Sequence, residues 1–256
     1  MRRFHALLIG GLMSLAAPAP LVAPAFAEGL TDMNDEERAA FREEVRAYLL
    51  DNPEVLMEAI SVLEQRETAA AGAADAALVD ENMGDLLDDG RSWVGGNPDG
   101  DITLIEFMDY RCGYCRQAFA EVEELVAGDG NIRFILKEFP ILGEQSLLAS
   151  QFAVAVKQIH GDEAYKEVHD ALMVMRADVT EESLAGLAET FGFDPAPLIE
   201  AMATEEVAAE IEANHDLATR LRINGTPTFV VADQMVRGYV PLASMQAMVA
   251  ELRDEG

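Results

Sequence analysis

The sequence predicts an α/β fold: a mixed sheet interrupted by a long helical block and preceded by a separate helical segment. Three observations carry this reading. The apolar runs at residues 102–108 and 132–137 flank a helical pattern at 117–126, and the order strand, helix, strand implies parallel pairing. Residues 145–221 then read as helical throughout. The chain returns to strand only at 226–232, so the block interrupts the sheet.

Taken in chain order, Arg2 and Arg3 precede an apolar stretch from Phe4 to Leu15 and a Pro/Ala-rich segment ending Ala25-Phe26-Ala27. This is the pattern of a secretory signal peptide at residues 1–27, cleaved after Ala27, and it places the mature protein outside the cytoplasm. The run is too short, and too interrupted by proline, for the roughly 20 apolar residues of a membrane-spanning helix. The formal net charge is −29. Such a surface repels phosphate backbones and anionic lipid, which argues against nucleic-acid work. It is compatible with a plain solvated acidic surface and with steering of basic clients.

Residues 28–82 form an acidic helical region with 15 Asp/Glu against 4 Lys/Arg. Phe41, Val45, Tyr48 and Leu49 recur at helical spacing, and Val55, Leu56, Ala59, Ile60 and Leu63 continue the stripe beyond Asp51-Asn52-Pro53. Asn52 is placed to cap the second helix, with Pro53 in its first turn. Short amphipathic helices cannot bury such a stripe alone, so it packs either on the same subunit or on another copy of the chain, a homo-oligomer through residues 28–75. The Ala-rich run at 68–77 reads as a continuation of the helix or as a linker.

A compact domain is expected from 93 to 254, with the turn cluster Gly95-Gly96-Asn97-Pro98-Asp99-Gly100 leading into the first strand. Within the inserted block, helices are expected at 145–159, 162–175, 180–190 and 195–218. A strand at 226–232, a tight turn at Asp233-Gln234, a returning strand at 235–238 and a helix at 242–251 complete the domain.

The two cysteines stand in Cys112-Gly113-Tyr114-Cys115, between the first strand and its helix. Sulfurs three residues apart cannot tie distant segments together, so a structural disulfide explains them poorly. At a helix N-terminus, unpaired N–H groups and the dipole favour the thiolate, the form that attacks disulfides. Cys112 is therefore the expected attacking sulfur, nearer solvent, and Cys115, one turn further in, the more buried resolving one. Gly113 is expected to let the turn form tightly, and Tyr114 offers a bulky phenol beside the thiols. Arg111 and Arg116 either favour the anion or are ordinary surface arginines. A structural zinc site needs two more Cys or His, and His160, His169 and His215 lie in helical patterns rather than at ligand spacing. Copper(I), which accepts two thiolates, would fall on Cys112 and Cys115.

Two further residues stand out. Glu106 shares a strand face with residues 102, 104 and 108, so its carboxylate lies either beneath the cysteine helix, accepting a proton from Cys115, or at a solvent-facing edge. Pro227 opens an apolar strand, a tolerated place for proline; a cis bond there would free the Thr226 backbone for an extended client. The pattern itself leaves the isomer open.

These residues resemble the DsbA family of bacterial thioredoxin-fold disulfide oxidoreductases. The similarity lies in residues 104–115, in Lys137-Glu138-Phe139-Pro140-Ile141-Leu142-Gly143 and in Gly225-Thr226-Pro227-Thr228-Phe229. It implies a thioredoxin fold with the helical domain inserted at about 145–221. It also implies Cys112 as attacking and Cys115 as resolving cysteine, Glu106 as a buried carboxylate, and Thr226-Pro227 as a cis pair facing the site.

Val45-Arg46-Ala47-Tyr48-Leu49-Leu50-Asp51-Asn52-Pro53-Glu54-Val55-Leu56 is similar to the leading segment of the ScsC and Com1-like branch. Some members of that branch oligomerise and act as isomerases or reductases, and the branch is linked to copper tolerance. Gly113-Tyr114 departs from the Pro-His of strongly oxidising members. The expectation is a periplasmic protein disulfide isomerase or reductase with no cofactor beyond a redox-active Cys112-Cys115 disulfide. Its expected partners are misfolded secreted proteins and a membrane redox partner. A dithiol oxidase and a copper(I)-binding metal-handling protein are the alternatives.

Overall fold

A computed structural model describes residues 32–255, so the signal-peptide reading lies outside the described residues. The chain divides into two compact units, one ending at Glu64 and one beginning at Gln65. In the first, α1 (Asp35–Asp51) starts with a capping box: Asn34 Oδ1 accepts from the Glu37 amide, and the Glu37 carboxylate accepts from the Asn34 amide, each at 3.0 Å. No residue of α1 is buried, and Phe41, Val45, Tyr48, Leu56, Ile60 and Leu63 are exposed. α2 (Glu54–Glu81) runs unbroken through the Ala-rich segment, which is helix rather than linker; alanine has the highest helix propensity, which suits a largely exposed stretch, held in its last part by the ion pair of Asp75 with Arg237.

The second unit contains α3 (Met83–Leu87), β1 (Trp93–Gly96), β2 (Ile102–Met108), α4 (Gly113–Asp129) and β3 (Ile132–Glu138). The helical insertion follows as α5 (Glu144–His160), α6 (Asp162–Val174), α7 (Glu181–Thr190), α8 (Pro195–Ala201) and α9 (Glu205–Arg220). β4 (Thr228–Val231), β5 (Gln234–Arg237) and α10 (Leu242–Glu255) close the chain. The five strands are ordered β1-β3-β2-β4-β5; β2 and β3 pair in parallel, as the strand-helix-strand order requires, and the other pairs are antiparallel.

Three local expectations are corrected. β1 was hidden in a turn cluster: Gly96, at φ 66°, lies so close to the Ile132 carbonyl that a side chain could not enter, and this approach gives β1 its place beside β3. The helix expected over 195–218 is two helices, because the Thr204 hydroxyl accepts from the Val207 amide and caps a new start. The hairpin turn is centred on Ala232 and Asp233, with Gln234 already in strand, and Ala232 adopts a left-handed φ of 54°.

The sheet is buried on both faces. One face carries Leu104, Met108, Phe134, Leu136, Phe229 and Val231 and packs with α4, α5, α6 and α10. The other carries Ile105, Phe107, Ile135 and Val230 and packs with Val79, Leu86, Leu217 and Leu221. Strand parity thus assigns Glu106 to the side of α4.

Lys137, on β3, is fully buried; its Nζ donates to Asp89 Oδ2 at 2.6 Å and to the Asp85 carbonyl at 2.9 Å. Burial acts to raise the Asp89 carboxyl, but the hydrogen bond from Lys137 leads the effects that hold it below the usual range. Breaking a buried pair strands one charge, so Lys137→Met is expected to cost about 3–5 kcal/mol in urea unfolding. A loss under about 1 kcal/mol would mean that water reaches the pair in solution.

Candidate active site

The site is assembled from three separated pieces of chain. β2 ends at Met108, and Cys112, with φ −72° and ψ 119°, is the N-cap of α4. That cap leaves the first amides of the helix facing the sulfur. Opposite stands the loop before β4, where the Thr226–Pro227 peptide bond is cis. In its protonated form the Cys112 thiol donates to the Thr226 carbonyl at 3.2 Å. Both sulfurs are unbridged.

Cys112 is 6% exposed and Cys115 fully buried. The order of accessibility is as expected, although even Cys112 shows only a small face to solvent. Its thiol is lowered to about 5, chiefly by a hydrogen bond from Cys115; burial opposes this, and the Thr226 side chain and the amides of Cys115 and Tyr114 assist. The buried neighbour pays the converse: donation to the Cys112 sulfur, then burial and the charge of Glu106, push the Cys115 thiol well up. One sulfur is thus an anion near neutral pH and the other holds its proton.

The hydrogen bonds of the flanking arginines go to backbone carbonyls rather than to the sulfurs. Arg111 Nη1 donates to the Ala177 carbonyl at 3.1 Å, and Arg116 Nε to the Tyr110 carbonyl at 2.7 Å. Gly113 is also not needed for the reason expected: a side chain there would meet open space, and its φ is not left-handed. Tyr114 is 64% exposed beside the sulfurs.

Glu106 is 3% exposed, in the middle strand of the sheet, which removes the solvent-edge reading. Burial, reinforced by the charges of Cys112 and Glu123, raises its carboxyl to about 8. Its Oε1 has no hydrogen-bond partner among the described residues, although buried carboxylate oxygens are normally satisfied. An unpartnered, protonatable oxygen on the α4 side of the sheet, electrostatically coupled to both sulfurs, is suited to holding a proton in transit between Cys115 and water.

This arrangement lies within residues 103–250, which match the family described as the DSBA-like thioredoxin domain. The chain belongs to that family. Residues 37–70 match the copper resistance protein ScsC N-terminal domain. Among solved structures, a thioredoxin-like oxidoreductase from Silicibacter pomeroyi is 41% identical, with a TM-score of 0.62 over 67% of this chain and 97% of that one. BcfH from Salmonella enterica Typhimurium is 26% identical, with a TM-score of 0.67 over 83% and 94%. Proteus mirabilis ScsC in a transitional conformation is 25% identical, with a TM-score of 0.65 over 88% and 100%.

Disulfide bond formation protein D of Bacillus subtilis is 26% identical over 57% of this chain and 70% of that protein. The Na(+)/H(+) antiporter NhaA 1 of Salinispora arenicola is 30% identical over 67% of this chain, which spans only 26% of the antiporter's length. Among the described residues, no helix is long and apolar enough to cross a membrane. The fold is the thioredoxin-like arrangement of the DSBA-like family, with the helical insertion between β3 and β4.

Around the DSBA-like core, the structure adds a polar network not foreseen from sequence. Glu138, at the end of β3 and buried, accepts from Tyr110, Tyr165 and Ser150, each at 2.7 Å. Burial lifts its carboxyl to about 7 against those three donors. The Tyr110 hydroxyl also meets His169 Nδ1 at 3.1 Å. Asp109 accepts from the amides of Arg111, Ile141 and Leu142 and from the Ser146 hydroxyl. Together these tie the cysteine loop to the helical insertion. The signal available in sequence was the pair of acidic residues closing the apolar runs of β2 and β3.

Proposed function

We propose that the protein exchanges disulfides with extracytoplasmic proteins, with Cys112 as nucleophile, Cys115 as resolving thiol and Glu106 as proton acceptor. The observation that carries this is the Cys112 sulfur at the start of α4, lowered to about 5 and set against Thr226. The Cys112 thiolate attacks a client disulfide, forming a mixed disulfide and releasing one client thiolate. Then either a second client thiol displaces Cys112, which rearranges the client with no net electron transfer, or Cys115 does. In the latter case Glu106 in its ionised form takes the Cys115 proton, the Cys112–Cys115 disulfide forms, and the client is reduced by two electrons. Thr226, Pro227 and the exposed Tyr114 are the surfaces on which an extended client would rest.

The lowered thiol helps one step more than another. At pH 7 the thiolate fraction rises from about 3% to about 99%, but intrinsic nucleophilicity falls about as much, so attack gains little. The gain is in Cys112 as a leaving group and in stabilising the dithiol. That favours isomerisation, which ends with Cys112 leaving and needs the dithiol to persist. The match of residues 37–70 to the ScsC N-terminal domain and the exposed apolar residues of α1 and α2 support an isomerase assembled from several copies.

The same stabilised dithiol also favours a second reading, an oxidase that donates its disulfide. The reduction potential, measured together with refolding of a scrambled disulfide protein, tests the choice: an isomerase rescues the scrambled client when reduced, whereas an oxidase acts only when oxidised. Deleting residues 32–64 is expected to lower the mass in solution to that of a monomer and to diminish isomerase activity while dithiol chemistry persists. An unchanged mass would show that this segment does not assemble the protein. Residues 37–70 contain neither Cys nor His, so under a copper(I) reading the thiolate ligands would be Cys112 and Cys115.

A further inference from the structure

Three of the chain's 18 Lys and Arg residues gather at one side of Cys112, in a molecule of net charge −29. Arg111 reaches the Ala177 carbonyl at 3.1 Å and Arg116 Nη2 the Leu172 carbonyl at 3.5 Å, and these two contacts bracket Arg176 on the loop after α6. Burial, and then repulsion by Arg111 and Arg176, lowers the Arg116 guanidinium. Arg176 is exposed and has no ion pair among the described residues.

The nearby carboxylates do not cancel this cluster. Asp109 is buried and already accepts three amides and the Ser146 hydroxyl, whereas Asp178 accepts from Gln145 Nε2 at 3.3 Å. Exposed apolar side chains flank the arginines: Tyr114 on α4, Leu142, whose amide is held by Asp109, and Val174 at the end of α6.

We propose that this surface selects client segments with an Asp or Glu beside the reacting cysteine, the carboxylate docking on Arg176 and Arg111 and apolar neighbours on Tyr114 and Val174. The proposal deepens the disulfide-exchange reading and rests on it. At 0.15 M salt the screening length is about 8 Å, so the remote acidic surface is muted while a carboxylate in contact with a guanidinium is not. The chain's overall charge would by itself favour basic clients, so the local and global fields predict opposite preferences.

The test uses the full oxidised protein and two peptides of equal length, each with one cysteine flanked by either Glu or Lys. Each rate of reduction of the protein is divided by that peptide's rate with a small uncharged disulfide, which removes differences in thiol reactivity. The Glu-to-Lys ratio is expected to be about fivefold, the size of one or two exposed ion pairs. It should shrink in 1 M salt and fall below one in Arg176→Glu, an exposed position. A wild-type ratio of one or less, or a ratio unchanged in Arg176→Glu, overturns the proposal. If the protein exchanges with neither peptide nor the uncharged disulfide, the underlying exchange reading fails with it.

Discussion

Cys112→Ala is expected to remove disulfide exchange altogether, leaving only the background reaction between client and small thiols, whereas Cys115→Ala should retain the first chemical step and accumulate a client adduct. The asymmetry follows from the two environments. At Cys112 the Cys115 thiol, then the Thr226 side chain and the first amides of α4, stabilise the anion. Cys115 is buried and held protonated, so it reacts only after the mixed disulfide has formed beside it. The measurement is trapping of a cysteine-containing peptide by each variant, resolved by mass. Adduct formed through Cys115 in Cys112→Ala, at a rate near wild type, would reverse the assignment of the two sulfurs.

The second large effect is expected from Glu106→Gln. If Glu106 takes the Cys115 proton, resolution of the mixed disulfide should slow on the order of 10²-fold near neutral pH, the usual worth of a positioned acid or base. Formation of the mixed disulfide should be little changed. Glutamine keeps the shape and cannot accept the proton, so the pH profile should also lose its inflection near 8.

Stability should move the other way. Glu106 is raised in the fold from 4.5 to about 8. Its neutral form thus contributes stability that is complete below 4.5 and is lost progressively as the pH rises through 8. The Gln variant has no such loss, so its advantage over wild type should grow across that window and then level off. A constant difference between the two proteins from pH 4 to 9 would show that the carboxylate is solvated.

Much of this site was legible in the sequence because its parts are local. Cys112 and Cys115 at the junction of an apolar strand and a helix fix the thiol positions without long-range information, and strand parity alone put Glu106 on the face of α4 or at an edge. Choosing between those two readings required knowing that β2 is flanked by β3 and β4, a matter of topology that the resemblance, rather than the pattern, supplied.

The features that were not legible depend on tertiary partners. β1 is four residues of which two are glycine, so no strand pattern could mark it, and it exists because Gly96 can approach Ile132. Glu138 looked like the polar end of an apolar run until Tyr110, Tyr165 and Ser150 closed around it. Arg176 sat in an unremarkable loop sequence, and only the reach of Arg111 and Arg116 to the same loop gives it a setting.

The exchange chemistry depends on the anionic character of the Cys112 sulfur, so the most direct measurement is its titration. The reduced protein is alkylated with iodoacetamide across pH 3 to 10, and the rate of modification at Cys112 is followed by mass. The structure predicts an apparent pKa near 5 for that sulfur. An ordinary thiol value of about 8.5 would contradict the account, because the Cys115 thiol, the Thr226 side chain and the amides at the start of α4 would then not be holding a thiolate.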